Sequence, residues 1–180
     1  MSLIWQDEDG EFQRSYSITR QQKNQYTFLI KLTEHGRGSR ALRAISLWES
    51  ILTRGVLWHF ILQDTSKPKI FLATGTGLAP IYNMISSLSE DVKKSLYFSV
   101  STEAELFYID KLHSIWNLDL HIHTTRQKVE WYKEGRIDID HIEANPDTEW
   151  YLCGNPRMVS EAREKLMNRG FTKVYSEEFN

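Results

Sequence analysis

The chain has 180 residues, 41% of them hydrophobic and 26% charged, proportions of a soluble globular protein with room for one large domain or a medium one with a small partner. Its net charge of −2 gives no general attraction to nucleic acid or an anionic membrane, and its single cysteine, Cys153, excludes an intramolecular disulfide and suits a reducing cytoplasm. No stretch reaches the length of a membrane span, and Met1-Ser-Leu-Ile-Trp-Gln-Asp-Glu-Asp-Gly10 turns acidic too soon for a signal peptide, so the expected setting is soluble and cytoplasmic.

Residues 1–66 read as β-rich with one short helix. The apolar run 3–5, the turn Asp7-Glu-Asp-Gly10 and the segment 12–19 predict a hairpin. Residues 26–32, Tyr-Thr-Phe-Leu-Ile-Lys-Leu, carry the β-branched and aromatic types of a strand. Gly36-Arg-Gly-Ser39 breaks that pattern, and 40–45 predicts a short helix with Ser39 near its N-cap. Residues 50–62 supply further strand, bent at Gly55.

From Lys67 the rhythm becomes strand and helix in turn. Strands are expected at 69–73, 96–100, 118–123, 149–153 and 172–175. Helices are expected at 78–88, with Pro80 in the first turn, and at 104–115, with Leu106, Tyr108, Ile109 and Leu112 inward. Shorter helical material falls at 137–142, and 156–169 is a full helix. Such alternation implies an α/β fold with a parallel, Rossmann-like sheet, entered through the proline-marked connection Ser66-Lys67-Pro68.

Two runs carry the strongest chemical signal, Phe71-Leu-Ala-Thr-Gly-Thr-Gly-Leu-Ala-Pro80 and Tyr151-Leu-Cys-Gly-Asn-Pro156. Each is an apolar strand that stops at a small-residue turn and runs into a helix, leaving backbone N–H groups where a phosphate or flat ring can sit. In the first part, Arg14 and Tyr16 share one face of a strand, while Ser15 and Ser17 share the other. An arginine fork suits a pyrophosphate, and a tyrosine offers an aromatic face. His121 and His123 lack carboxylate or thiolate partners in the pattern and read as structural, so no metal is expected. Trp48, Trp58, Trp131 and Tyr132 read as core or rim packing ahead of a docking surface or quinone slot. Nothing in the sequence pairs Cys153 with a base, so its thiol reads first as a small apolar group.

The ordered set Arg14-Ser-Tyr-Ser17, Gly36-x-x-Ser39, Gly75-Thr-Gly-Leu-Ala-Pro80 and Cys153-Gly-Asn-Pro156 resembles the ferredoxin–NADP reductase superfamily, and the ending Tyr175-Ser-Glu-Glu-Phe179 resembles its closing segment. The resemblance implies a truncated antiparallel β-barrel for flavin (1–66), a nicotinamide-nucleotide domain (67–180) and the cofactors FAD and NAD(P)H. By the same resemblance, Arg14 would meet the FAD pyrophosphate, Tyr16 the isoalloxazine and Ser17 the flavin N5 region. Gly36 and Ser39 would receive the pyrophosphate. Gly75, Thr76 and Gly77 would admit NAD(P)H, as would Gly154, Asn155 and Pro156, with Arg126 meeting the nucleotide. Cys153 would lie beside the nicotinamide, Glu177 would supply the acidic position, and Phe179 would shield the flavin. The implied activity is hydride transfer between NAD(P)H and FAD, with electrons passed to a redox protein or small acceptor. The alternative is a non-catalytic nucleotide-binding or docking subunit whose flavin domain needs a partner chain.

The chain departs from the family in three places. Only a hairpin precedes the flavin motif, so an open sheet edge calls for a homodimer partner or another chain. Val56 and Trp58 stand where the family has Pro and Gly, and Leu47-Trp-Glu49 replaces a Gly-Asp turn. The stretch Ser99-Val-Ser-Thr-Glu-Ala-Glu105, with two acids and no base, favours NADH.

Overall fold

The computed structural model describes residues 1–55 and 60–179. They form two compact units, Met1–His59 and Phe60–Asn180.

In the first unit, β1 (Ser2–Asp7) and β2 (Gly10–Ser15) make the expected antiparallel hairpin, from Ser2 opposite Ser15 to Asp7 opposite Gly10. Its turn forms because the Asp9 N–H donates to Asp7 Oδ1 at 3.0 Å and Gly10 takes φ +97°. The single strand expected over 12–19 is broken at Tyr16 and Ser17, and β3 (Ile18–Gln22) pairs instead with β4 (Gln25–Phe28). Among the described residues, 29–32 join no ladder, since strand propensity alone does not fix a strand's partner. The helix α1 (Arg37–Ala44) starts earlier than expected, with Gly36 at its N-cap, so Ser39 lies inside it. The Ser39 hydroxyl is taken by the preceding loop, accepting the Thr33 N–H at 2.9 Å. Of 50–62, the short β5 (Leu52–Arg54) pairs with β1; Val56 and Trp58 lie outside the described residues.

The second unit is a six-stranded parallel sheet in the order β11-β10-β6-β7-β8-β9. Its strands are β6 (Lys69–Thr74), β7 (Lys94–Val100), β8 (Leu118–Thr124), β9 (Lys133–Glu134), β10 (Glu149–Gly154) and β11 (Val174–Glu178). Its helices are α2 (Leu78–Ser87), α3 (Ile109–His113) and α4 (Pro156–Asn168). Strands β6 and β10 read as unbroken apolar runs because helices cover both faces of the sheet. Phe71, Leu72 and Ala73 lie fully buried beside Trp150, Tyr151, Leu152 and Cys153. On one face α4 buries Val159, Ala162 and Leu166 against Ile70, Leu72, Trp150 and Leu152. Each of the Val, Leu and Ile side chains among them contributes about 1.5–3 kcal/mol.

The helix expected over 104–115 shrinks to a short 3-10 turn, Glu103–Glu105, and the five residues of α3. Tyr108 between them has φ +62°, a left-handed conformation that a helix does not tolerate. Leu112 alone of the four expected inward residues is buried; Leu106, Tyr108 and Ile109 are half-buried. The last strand runs later than expected and takes Glu177 into the sheet. Trp48 and Trp131 do not pack; they are 99% and 83% exposed. His121 stacks on Tyr97 with centroids 4.3 Å apart and meets Asp119 at 2.9 Å. No helix among the described residues is long and apolar enough to cross a membrane.

Candidate functional site

The chain leaves β6, adds β7, β8 and β9 to one side, then returns to place β10 on the other side of β6. The boundary between β6 and β10 is therefore the switch point where an open parallel sheet leaves a crevice beyond its strand ends. Both small-residue turns lie there. Parallel register sets Ala73 beside Cys153, so the Gly75–Gly77 turn and the Gly154–Asn155 turn leave the sheet as neighbours.

Contact between them is backbone against backbone. A Cβ on Gly77 would stand 2.3 Å from the Cys153 carbonyl oxygen and 2.7 Å from Gly154 Cα. One on Gly154 would stand 2.2 Å from Thr74 Oγ1 and 2.5 Å from the Thr74 carbonyl oxygen. Gly154 also takes φ +132°, outside the range of ordinary L side chains. Asn155 then opens α4, its Oδ1 accepting the N–H groups of Arg157 at 3.0 Å and Met158 at 3.4 Å, with Pro156 at the first position. The tail closes on the same peptide, for the Phe179 N–H donates to the Gly154 carbonyl at 2.8 Å. Glu177 pairs in register with Cys153. Gly75, Thr76, Gly77, Cys153, Gly154, Asn155, Pro156, Glu177 and Phe179 thus converge on one edge. Arg126 stands at that edge too, two strands away, its N–H donating to the Ser101 carbonyl at 2.9 Å.

Cys153 is fully buried, and burial, reinforced by the nearby Glu177 carboxylate, pushes its thiol well above the ordinary range. It stays protonated and is not poised as a nucleophile.

The first unit has a cluster of its own. A Cβ on Gly38 would lie 3.0 Å from the Tyr16 hydroxyl and 3.1 Å from Arg14 Cγ, so Arg14 and Tyr16 do share a face and meet the first turn of α1. The Ser15 hydroxyl, on the other face, bonds Ser2 Oγ at 2.8 Å. Burial pushes the Tyr16 hydroxyl up from its usual pKa. Gly36 and Ser39 sit at the start of the same helix, and Ser17 is half-buried between β2 and β3. Arg37 holds the cluster in place, a role not apparent in the sequence. Its Nε donates to Asp7 Oδ2 at 2.8 Å, its Nη2 to the Gly10 carbonyl at 2.8 Å, and its guanidinium lies 4.0 Å from the Phe12 ring centre. The pair is recognisable only after the hairpin and helix are folded.

Fold and crevice together define an α/β domain of the dinucleotide-binding class. The model of the oxidoreductase NAD-binding domain family matches residues 71–164. The electron transfer component of anthranilate 1,2-dioxygenase from Acinetobacter baylyi is 28% identical over 95% of this chain and 54% of its own length. NADH-cytochrome b5 reductase 1 from Candida albicans is 28% identical over 92% of this chain and 63% of its own. Among solved structures, the flavohem-like FAD/NAD-binding domain of nitric oxide dioxygenase from Vibrio cholerae matches with a TM-score of 0.90 at 14% identity, covering 99% of this chain and 82% of that one. A ferredoxin NADP+ reductase from Neisseria gonorrhoeae with bound FAD and NADP matches with a TM-score of 0.81 at 21% identity, over 98% and 84%. The chain belongs to the oxidoreductase NAD-binding domain family. It spans 54% and 63% of the lengths of the two curated relatives named.

Proposed function

We propose that this chain carries the nucleotide-binding part of an NAD(P)H-dependent flavin oxidoreductase, which passes hydride from NAD(P)H to FAD and electrons onward to a redox partner. The observation that carries the reading is the close packing of the two turns at the switch point, where a Cβ on Gly77 would strike the Cys153 carbonyl oxygen at 2.3 Å and one on Gly154 would strike Thr74 Oγ1 at 2.2 Å. Only side-chain-free positions let the two turns close on each other this tightly, which brings their main chain together at the mouth of the crevice where a dinucleotide binds. Residues 67–180 are assigned to the nicotinamide nucleotide and 1–66 to FAD.

When bound, the nicotinamide supplies the hydride and the flavin accepts it. The chain's own part is to bind, orient and exclude water. Gly75, Thr76, Gly77 and Gly154 present main chain to the nucleotide, and Asn155 and Pro156 present the start of α4, with the Asn155 N–H itself held by Thr74 Oγ1. Cys153, neutral and buried, backs the strand end beside which the ring would lie. Glu177 and Phe179 border the same edge from β11, and Arg126 is positioned for the nucleotide's phosphates. Arg14, Tyr16, Ser17, Gly36 and Ser39 receive the flavin, with the half-buried Tyr16 face as the stacking surface. Glu103 and Glu105 follow β7 without a neighbouring base in that stretch, which favours NADH, since a 2′-phosphate would meet like charge. The acceptor is a redox protein or small molecule, with a second copy or another chain covering the open edges of the β2-β1-β5 sheet. The lone thiol supports placing the protein in the cytoplasm.

Absorbance tests the reading. Purified protein supplied with FAD should be yellow, and its flavin bands should bleach on adding NADH. A colourless protein that reduces no artificial acceptor overturns the enzyme reading and leaves a docking subunit. Tyr16→Ala should weaken FAD binding about tenfold, the loss of one stacked aromatic, read by quenching of FAD fluorescence. Unchanged affinity would remove Tyr16 from the site.

A further inference from the structure

Thr74, the last residue of β6, has no role in the motif reading, yet its hydroxyl fastens the crevice together. Register places Ala73 opposite Cys153, so Thr74 and Gly154 face each other at adjoining strand ends. The hydroxyl fills the space that Gly154 leaves, 2.2 Å from where a Cβ would be. There it accepts the Asn155 N–H at 2.8 Å. Two further elements hang on the same peptide. Asn155 Oδ1 holds the first N–H groups of α4, and the Gly154 carbonyl holds the Phe179 N–H.

Because Gly154 has no Cβ to restrict φ, the orientation of this peptide depends on the hydrogen bonds that hold its two ends. Asn155 is exposed, so without the hydroxyl water would take its N–H and the peptide would be held from the β11 side alone, by the Phe179 bond to its carbonyl. We propose that Thr74 is a positioning residue: on the nucleotide-binding reading above, its hydroxyl locks the Gly154–Asn155 peptide in the orientation against which the nicotinamide lies. Thr74 thereby sets the entry of α4 and the seat of Phe179 from the opposite side of the crevice.

The test compares the full chain with Thr74→Val, which keeps the shape and removes the acceptor, and Thr74→Ser, which keeps the hydroxyl. Calorimetric titration with NADH should show Thr74→Val about tenfold weaker, in keeping with one lost hydrogen bond at a binding site. Hydrogen exchange at the Asn155 amide should quicken in the same variant, and Thr74→Ser should restore both readouts. Circular dichroism confirms that all three are folded. If the unaltered chain binds NADH and Thr74→Val binds it equally well, the role of Thr74 is overturned and the nucleotide reading stands. If Thr74→Val and Thr74→Ser weaken binding alike, the hydroxyl is not the cause, and the proposal is again overturned. If the unaltered chain binds no NADH, the functional reading falls and takes this role with it.

Discussion

Gly154→Ala should abolish high-affinity nucleotide binding and lower the melting temperature of the second unit, the largest effect expected of any single methyl in this chain. Two independent penalties meet at that position. A backbone at φ +132° costs an L residue on the order of 1–3 kcal/mol. The added Cβ also stands 2.2 Å from Thr74 Oγ1 and 2.5 Å from the Thr74 carbonyl oxygen. The hydroxyl can rotate, but the carbonyl belongs to β6, which is buried and paired on both sides, so the strand ends must separate. A combined loss of about 3 kcal/mol or more corresponds to roughly a 10 °C fall in melting temperature for a domain of this size.

Two companion variants divide the effect. Gly77 has an ordinary φ of −58°, yet its Cβ would meet the Cys153 carbonyl oxygen at 2.3 Å; Gly77→Ala therefore imposes the clash without the dihedral strain. Gly170 has φ +88° with nothing within 4 Å, so Gly170→Ala imposes the strain, about 1 kcal/mol, without a clash. NADH affinity should fall about a hundredfold or more in Gly154→Ala and Gly77→Ala and stay unchanged in Gly170→Ala. Normal affinity in Gly77→Ala would mean the two turns do not frame the binding edge.

What could be read from the sequence was whatever is written in consecutive residues. The apolar runs of β6 and β10 announce buried parallel strands, their glycines announce turns, and Pro156 after Asn155 announces a helix start. The register that brings Gly77 against Cys153 is not written locally, since the two strands are neighbours only through the crossover order. Periodicity over 104–115 implies more helix than forms, because it does not register the Glu105 carboxylate accepting the Ser101 N–H at 2.9 Å or the left-handed Tyr108. Ser39 looked like a cap because its type and position suited one, and the Thr33 N–H takes its hydroxyl instead. Arg37 and Thr74 are silent in the sequence for a related reason: each acts on a partner from another element, Asp7 thirty residues away and Asn155 eighty-one away. The exposed Trp48 and Trp131 show the converse limit, for hydrophobicity alone does not say which aromatic residue finds a core.

Lys69→Met should cost about 3–5 kcal/mol at neutral pH, the price of leaving a buried carboxylate without its cation. Lys69 and Glu149 begin the two central strands, with side chains 0% and 3% exposed and Nζ 2.9 Å from Oε2. The Thr65 hydroxyl donates to Glu149 Oε1 at 2.8 Å, Tyr151 donates to Oε2 at 3.2 Å, and Lys69 also donates to the Thr65 carbonyl at 2.9 Å. Burial pushes the Glu149 carboxyl up, but the hydrogen bonds from Lys69 and Thr65, the Lys69 charge and the Tyr151 hydroxyl together hold it below its usual range. The stabilisation from this depressed carboxylate is complete above its unfolded pKa, about 4.3, and is lost as pH falls through the lower folded value. With methionine at 69 only burial and the two hydroxyl donors remain, so the carboxyl protonates more readily on acidification and relieves its own penalty. Urea unfolding should therefore show the gap between Lys69→Met and the unaltered chain narrowing between pH 7 and pH 4.5. A second change, Glu149→Leu in the Lys69→Met background, should recover most of the loss, because an apolar pair of similar volume leaves no buried charge. The pair lies at the edge of the sheet opposite the crevice, about 13 Å along β10 at ~3.3 Å per residue, so NADH affinity of the folded protein should not change. An equal cost at both pH values would show that lost packing rather than unpaired charge sets the effect.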